Sequence, residues 1–271
     1  MPSMSGVKPK KALGQHFLTD LGVAGRIAST LDDYPDTPVL EIGPGMGVLT
    51  RFLMEKHPYP LFSVAEIDSE SVAWLKEHLP SPQPRIVEGD FLQMDLAELF
   101  PGDEPFCVIG NYPYNISSQI FFRVLDYRER IVCCSGMLQR EVAERLAAPP
   151  GTKARGILSV LLQAWYDVEY LFTVSENVFN PPPKVKSGVV RLTRNGVRDL
   201  GCDEALFRTV VKTGFGQRRK TLRNSLRSLL PPGASADALP YASLRPEQLS
   251  VEQFKEITRA VSSLRANASK L

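Results

Sequence analysis

The chain is poor in the residues that build metal sites and disulfide frameworks. Its 271 residues include only four cysteines and three histidines. Cys107, Cys133, Cys134 and Cys202 form no CxxC pair, and His16, His57 and His78 are scattered without ligand spacing. Neither a metal centre nor a disulfide scaffold is expected. Three of the cysteines fall in apolar runs, where an unpaired thiol behaves as a small buried hydrophobe. No apolar stretch reaches the roughly 20 residues needed to cross a bilayer. Met1 to Lys11 is basic but lacks the apolar segment of a secretory signal, so a cytoplasmic protein is expected. The net charge is only +2, which permits nucleic-acid binding without arguing for it. Local clusters must decide.

What the chain does contain is alternation. Strand-like apolar runs occupy Val39-Ile42, Leu61-Glu66, Arg85-Val87, Phe106-Gly110, Ile131-Leu138, Asp167-Thr173 and Val185-Leu192. Between several of them lie helical patterns, such as Val48-Leu49 with Phe52-Leu53, and Val72, Leu75 and Leu79. Strands alternating with helices imply an α/β fold, a mostly parallel sheet covered on both faces. Too little chain separates Thr173 from Val185 for a crossover helix, so the last two runs are expected as antiparallel neighbours. After Arg194-Asn195-Gly196 the texture changes to helix-like segments around Glu204-Thr213, Arg219-Leu229 and Val251-Leu264. The expected division is residues 1–195 as the α/β domain and 196–271 as a small all-helical domain.

Val39-Leu40-Glu41-Ile42 runs directly into Gly43-Pro44-Gly45-Met46-Gly47. Glycines let a backbone turn sharply after a strand and approach a ligand closely. The next strand ends in Glu66-Ile67-Asp68, an acid about 20 residues past the glycines, which suits two ribose hydroxyls. The third ends in Glu88-Gly89-Asp90-Phe91, where Asp90 can accept from an adenine amino group and Phe91 can flank its ring. No lysine follows the glycines as in a triphosphate-binding loop. A nicotinamide dinucleotide remains open on the glycines and Glu66 alone.

The fourth run ends in Asn111-Tyr112-Pro113-Tyr114. Ligands of open α/β sheets bind beyond the carboxyl ends of the strands. There an amide oxygen can accept from an exocyclic amino group. Pro113 fixes its own φ and holds Tyr112 extended, which aims a backbone carbonyl beside the amide, while Tyr114 offers a flat face to a base. This combination suits holding an adenine amino group while its nitrogen is alkylated. An S-adenosylmethionine site explains both ends of the sheet, with adenosine at Glu66 and Asp90, methionine near Gly43 and Gly45, and the methyl directed at Asn111. Phe179 is a candidate for the second face of the target base. Basic residues form local clusters at Lys153 and Arg155, at Lys184 and Lys186, and at Arg219, Arg223 and Arg227. The last three recur every fourth residue, so one helix is expected to turn them toward phosphates while Leu222, Leu226 and Leu229 face inward.

These motifs, in this order, resemble the ribosomal RNA adenine dimethyltransferase family, the kasugamycin-sensitivity methylases. The resemblance covers nearly the whole chain. It includes Lys11-Ala12-Leu13-Gly14-Gln15-His16-Phe17-Leu18, Glu41-Ile42-Gly43-Pro44-Gly45, Asn111 to Ser117, Val178-Phe179-Asn180-Pro181-Pro182-Pro183-Lys184-Val185 and Arg218-Arg219-Lys220-Thr221-Leu222. It implies a class I S-adenosylmethionine-dependent methyltransferase sheet, Rossmann-like, followed by a helical RNA-binding domain. It implies dimethylation of N6 on two adjacent adenosines in the 3′-terminal hairpin of 16S rRNA, within the small ribosomal subunit or a late assembly intermediate, by a monomer without metal. It implies cofactor contacts from His16, Leu18, Gly43, Glu66, Asp90 and Asn111. Many relatives carry asparagine in place of His16, and leucine or isoleucine in place of Tyr112. A DNA adenine methylase shares the Asn-x-Pro-Tyr chemistry, and a non-catalytic assembly factor shares the fold. The triple proline and the Arg218-Arg219-Lys220 tail favour the ribosomal RNA family over the first. The intact glycines, Glu66 and Asn111 argue against the second.

Overall fold

The computed structural model describes residues 7–268. Met1 to Gly6, part of the basic N-terminal stretch, and the last three residues lie outside them. The elements, in chain order, are β1 (Phe17–Leu18), α1 (Leu21–Ala28), β2 (Val39–Ile42), α2 (Val48–Lys56), β3 (Phe62–Glu66), α3 (Ser69–His78), β4 (Arg85–Glu88), α4 (Leu96–Leu99) and β5 (Phe106–Asn111). They continue with α5 (Ser117–Asp126), β6 (Ile131–Gln139), α6 (Arg140–Ala147), α7 (Ile157–Gln163), β7 (Tyr166–Val174), β8 (Phe179–Asn180), β9 (Ser187–Arg194), α8 (Glu204–Gly216), α9 (Leu222–Ser225) and α10 (Val251–Ala268). Every strand expected from the apolar runs is present, with ends shifted by two residues or fewer.

The chain divides into two compact units. One comprises residues 1–143 and 168–194, the other 144–167 and 195–271. The second unit thus takes in a middle segment that the sequence reading assigned to the first domain. The reason is visible in α7. Leu158, Val160, Leu161 and Leu162 are all buried, a helix apolar nearly all round, and α7 packs on α8 rather than lying on the sheet as a crossover.

In the first unit seven strands form one sheet in the order β4-β3-β2-β5-β6-β9-β7. The strands from β4 to β6 are parallel, and β9 runs antiparallel to β6. β9 and β7 are neighbours, as the short connection between them requires. Strand order reverses around β2, which lies between β3 and β5. That reversal is where an open α/β sheet leaves a crevice for a ligand. The central strands are buried on both faces: Val39, Leu40, Val64, Cys107, Val108 and Ile109 are all fully inaccessible, so they read as continuous apolar runs. Asp20 and Asp68 cap α1 and α3, accepting from Val23 N–H and Glu70 N–H. Each such cap is worth about 1 kcal/mol.

A two-residue antiparallel pair escaped the sequence reading. Phe17 pairs with Asn180 and Leu18 with Phe179. Thr19 reinforces it, its N–H and hydroxyl both donating to the Val178 carbonyl. Two residues carry too little periodicity to announce a strand. The pair nevertheless decides where Phe179 goes. Its ring is 5% exposed, in the same core cluster as Leu18, Ile27, Leu31 and Met137.

The second unit is helical. Phe207, Val210 and Val211 of α8 are buried with Phe254, Ile257 and Val261 of α10, and the two helices pack together. The helix expected over 219–229 is broken: α9 spans only Leu222–Ser225, and a single 3-10 turn covers Arg227–Leu229.

Candidate cofactor and base-binding site

One cavity opens beyond the carboxyl ends of β2, β3, β4 and β5. Its wall includes His16, Leu18, Gly43, Gly45, Glu66, Asp90, Phe91 and Asn111, and also Tyr112, Pro113 and Tyr114. Residues as far apart in sequence as His16 and Tyr114 therefore share one space. Parallel register accounts for this, since Ile42 lies opposite Ala65 on one side and Gly110 on the other. The three following loops must emerge side by side.

The Gly43 turn is shaped for close approach. Gly43, Gly45 and Gly47 all have positive φ. A Cβ on Gly45 would come within 2.9 Å of the Phe17 ring. The amide of Gly45 donates to Glu66 Oε2 at 3.0 Å, and the amide of Asp68 donates to Oε1 at 3.0 Å. Glu66 is thereby held in place with lone pairs to spare. Burial raises its pKa, and these backbone amides pull it back. Asp90 accepts from the Leu92 amide at 2.9 Å.

The N-terminal segment forms one wall, and it is latched at both ends. Lys10 Nζ meets Asp68 Oδ1 at 2.5 Å and Glu70 Oε1 at 3.2 Å. Gln15 Nε2 donates to Asp68 Oδ2 at 3.1 Å. Burial opposes ionisation of Asp68, but the hydrogen bonds from Lys10, Gln15 and Ser71 outweigh it and hold its carboxyl below the usual range. At the other end His16 Nδ1 lies 2.8 Å from the Pro181 carbonyl. Neither Gln15 nor Lys10 is singled out by the sequence, where Lys10 is simply part of the basic stretch from Met1 to Lys11.

Asn111 is oriented by the same segment. Its Nδ2 donates to the His16 carbonyl at 2.9 Å, which leaves Oδ1 as the acceptor of the amide. Tyr112 is 1% exposed. Its hydroxyl donates to the Ser135 carbonyl at 2.7 Å, and its amide donates to the Met137 carbonyl at 2.9 Å. Its ring lies where a Cβ on Gly136 would come within 2.7 Å of it. A tyrosine is accommodated here because the residue of β6 beneath its ring is a glycine. The side chain is committed to the core, and the backbone carbonyl accepts no hydrogen bond among the described residues. Tyr114 is half-buried. Its hydroxyl meets Ser187 Oγ at 2.5 Å and its ring centre lies 5.5 Å from that of His16.

The cavity's charge selects among ligands. Its described lining contains Glu41, Glu66 and Asp90 but no lysine and no arginine. Such a lining favours a ligand that carries positive charge. An adenosine joined to a positively charged group, as in S-adenosylmethionine, fits this donor set. No group of three or more His, Cys, Asp or Glu among the described residues is arranged to hold a metal ion.

Several expected residues lie elsewhere. Phe179 does not line the cavity, because its pairing with Leu18 turns it into the core. Arg155 is not a phosphate ligand. It is 1% exposed, and its guanidinium donates to the carbonyls of Leu249 (3.0 Å) and Ala148 (2.6 Å) and to Gln163 Oε1 (2.7 Å). Burial lowers its pKa to about 10. Lys153, Lys184, Lys186, Arg219, Arg223 and Arg227 are exposed. Arg219, Arg223 and Arg227 do not form one helical stripe, since Arg219 precedes α9 and Arg227 follows it. Arg223 is paired with Asp237 at 2.8 Å.

Comparison with known proteins identifies the family. The family described as "Ribosomal RNA adenine dimethylase" matches residues 6–261. The "Ribosomal RNA small subunit methyltransferase A" of Parabacteroides distasonis is 67% identical over 253 residues, covering 93% of each chain. The protein of the same name from Porphyromonas gingivalis is 64% identical over 256 residues, 94% of this chain and 98% of that one. Among solved structures, a dimethyladenosine transferase from Plasmodium falciparum superposes with a TM-score of 0.76 at 23% identity, covering 92% of this chain and 98% of that one. The 23S rRNA methyltransferase ErmE gives 0.65 at 28% identity, covering 89% and 99%. The fold is thus that of the class I methyltransferases, and the chain belongs to the ribosomal RNA adenine dimethylase family.

Proposed function

We propose that the protein transfers methyl groups from S-adenosylmethionine to N6 of two adjacent adenosines in the 3′-terminal hairpin of 16S rRNA, two to each, acting on the small subunit or a late assembly intermediate. The family and the names of its relatives support the ribosomal RNA substrate. The observation that carries the chemistry is the Asn111 amide. Its nitrogen is engaged by the His16 carbonyl, so its oxygen is the group offered to a ligand.

When bound, S-adenosylmethionine supplies an already activated methyl on a sulfonium, with no need of a metal. The protein's own task is position and charge. Adenine N6 is a poor nucleophile because its lone pair is delocalised into the ring. Before the first transfer Asn111 Oδ1 and the Tyr112 carbonyl accept its two hydrogens, which favours a pyramidal nitrogen. Before the second, one of them accepts the single hydrogen left, and each departing proton passes to solvent. The same two oxygens oppose the positive charge that gathers on N6 in the transition state. Pro113 keeps the Tyr112 carbonyl beside the amide. Tyr114 stacks on the base, its ring steadied by Ser187. Such stacking is worth roughly 1–3 kcal/mol, enough to offset much of the cost of extruding a base. Glu66 and Asp90 hold the adenosine of the cofactor, Gly43 and Gly45 its amino-acid end, with His16, Leu18 and Phe91 closing the wall. Lys153, Lys184, Lys186, Arg219 and Arg227 are the basic residues left for phosphates.

The test is incubation with labelled S-adenosylmethionine and unmethylated small subunits, naked 16S rRNA or duplex DNA, followed by nucleoside analysis. N6,N6-dimethyladenosine from the small subunit is expected. Label confined to DNA, or none in any arm, would overturn the reading.

A further inference from the structure

Glu41 has no part in the chemistry above, yet it lines the same cavity. It lies on β2, two residues before the Gly43 turn, in a strand otherwise wholly apolar. It is 1% exposed, and its Oε2 has no hydrogen-bond partner. A buried carboxylate without a donor or a cation is costly to keep charged. Its surroundings offer only partial relief, from the Thr50 hydroxyl on α2, which is itself buried and has no other partner. Glu66 on β3, Asp68 at the head of α3 and Asp90 after β4 add negative charge, and His16, Tyr112 and Tyr114 are the further titratable groups lining the cavity. Lys10 is spent on Asp68 and Glu70.

Resting on the methyltransferase reading, we propose that Glu41 receives a positively charged group of the cofactor and gives up a proton as it does so, making cofactor binding a proton-releasing step. Burial, with the charge of Glu66, pushes Glu41 up to about 8, the Thr50 hydroxyl opposing. Near neutral pH the ligand-free protein therefore holds Glu41 largely as the neutral acid. A cation beside it favours the carboxylate. The O–H bond breaks, its electron pair stays on Glu41, and the proton passes to the buffer. Affinity then rises with pH up to the pKa of free Glu41 and levels off above it. The receiving charge is a sulfonium or an ammonium. S-adenosylhomocysteine keeps only the ammonium, and methylthioadenosine has neither.

Titration calorimetry on the full chain in buffers of different ionisation enthalpy counts the protons. The count attributed to Glu41 is the wild-type value minus that of Glu41→Gln. With S-adenosylmethionine near neutral pH it is expected to be close to one proton per site, and with methylthioadenosine close to none. Release with S-adenosylhomocysteine assigns the ammonium; its absence assigns the sulfonium. Binding of S-adenosylmethionine with no proton difference between wild type and Glu41→Gln would overturn the proposal while leaving the methyltransferase reading intact. So would equal release with methylthioadenosine. Failure of the wild type to bind S-adenosylmethionine at all would overturn both.

Discussion

The carboxylates of the first unit and the arginines of the second unit are both charged groups that the sequence marks out, and they fare differently. Glu66 ends the buried parallel strand β3, Asp90 follows the part-exposed edge strand β4 by two residues, and both line the cavity beyond the paired ends of those strands. Glu66 is then fixed by two backbone amides. The arginines have no such frame. Arg155 turns inward to three oxygen acceptors, Arg223 turns to Asp237, and Arg219 and Arg227 remain exposed on either side of a one-turn helix. A strand end fixes where a side chain goes. A spacing of four on a segment with few helical residues does not.

Substitutions sharpen this contrast, beginning with the largest expected effect. Asn111→Ala removes the acceptor oxygen and should cost about 10²–10³ in single-turnover methyl transfer at saturating cofactor, by analogy with loss of one oxyanion-hole donor. Arg155→Ala leaves two buried carbonyls and the Gln163 amide oxygen without their donor. It should destabilise by roughly 3 kcal/mol in denaturant unfolding, whereas a phosphate ligand would leave stability unchanged and weaken RNA binding. Gly45→Ala forces a Cβ into a left-handed position against Phe17, with a strain of about 1–2 kcal/mol that should appear as weaker cofactor binding in a titration. Smallest is Arg227→Ala, which should lower the slope of log affinity against log salt by about 1 if it holds one phosphate. An unchanged slope would leave Arg227 as ordinary surface charge. Arg223→Ala should do less to stability than Arg155→Ala, because an exposed ion pair contributes at most about 1 kcal/mol.

What was legible in the sequence follows the same division. The seven main strands were readable as apolar runs, and the residues that line the cavity because they are the polar or glycine punctuation closing those runs. The Gly43 turn, Glu66, Asp90 and Asn111 are such punctuation. The β1–β8 pair was not readable, being two residues in each strand, and with it went the placement of Phe179. Glu41 was visible as one acid inside an apolar strand. Its significance depends on whether a partner reaches it, and only three-dimensional packing decides that. Arg155 reads in the sequence as one of a pair of clustered bases with Lys153. The acceptors that draw it inward come from Ala148, Gln163 and Leu249, the last of them 94 positions away.

The central claim is that one amide oxygen and one backbone carbonyl cradle the adenine amino group. A crystal structure with S-adenosylhomocysteine and an adenosine-containing RNA fragment tests it most directly. N6 is expected within hydrogen-bonding distance of both Asn111 Oδ1 and the Tyr112 carbonyl, with the Tyr114 ring parallel to the base. An adenine seated elsewhere, or an Asn111 amide turned to present its nitrogen, would contradict the account.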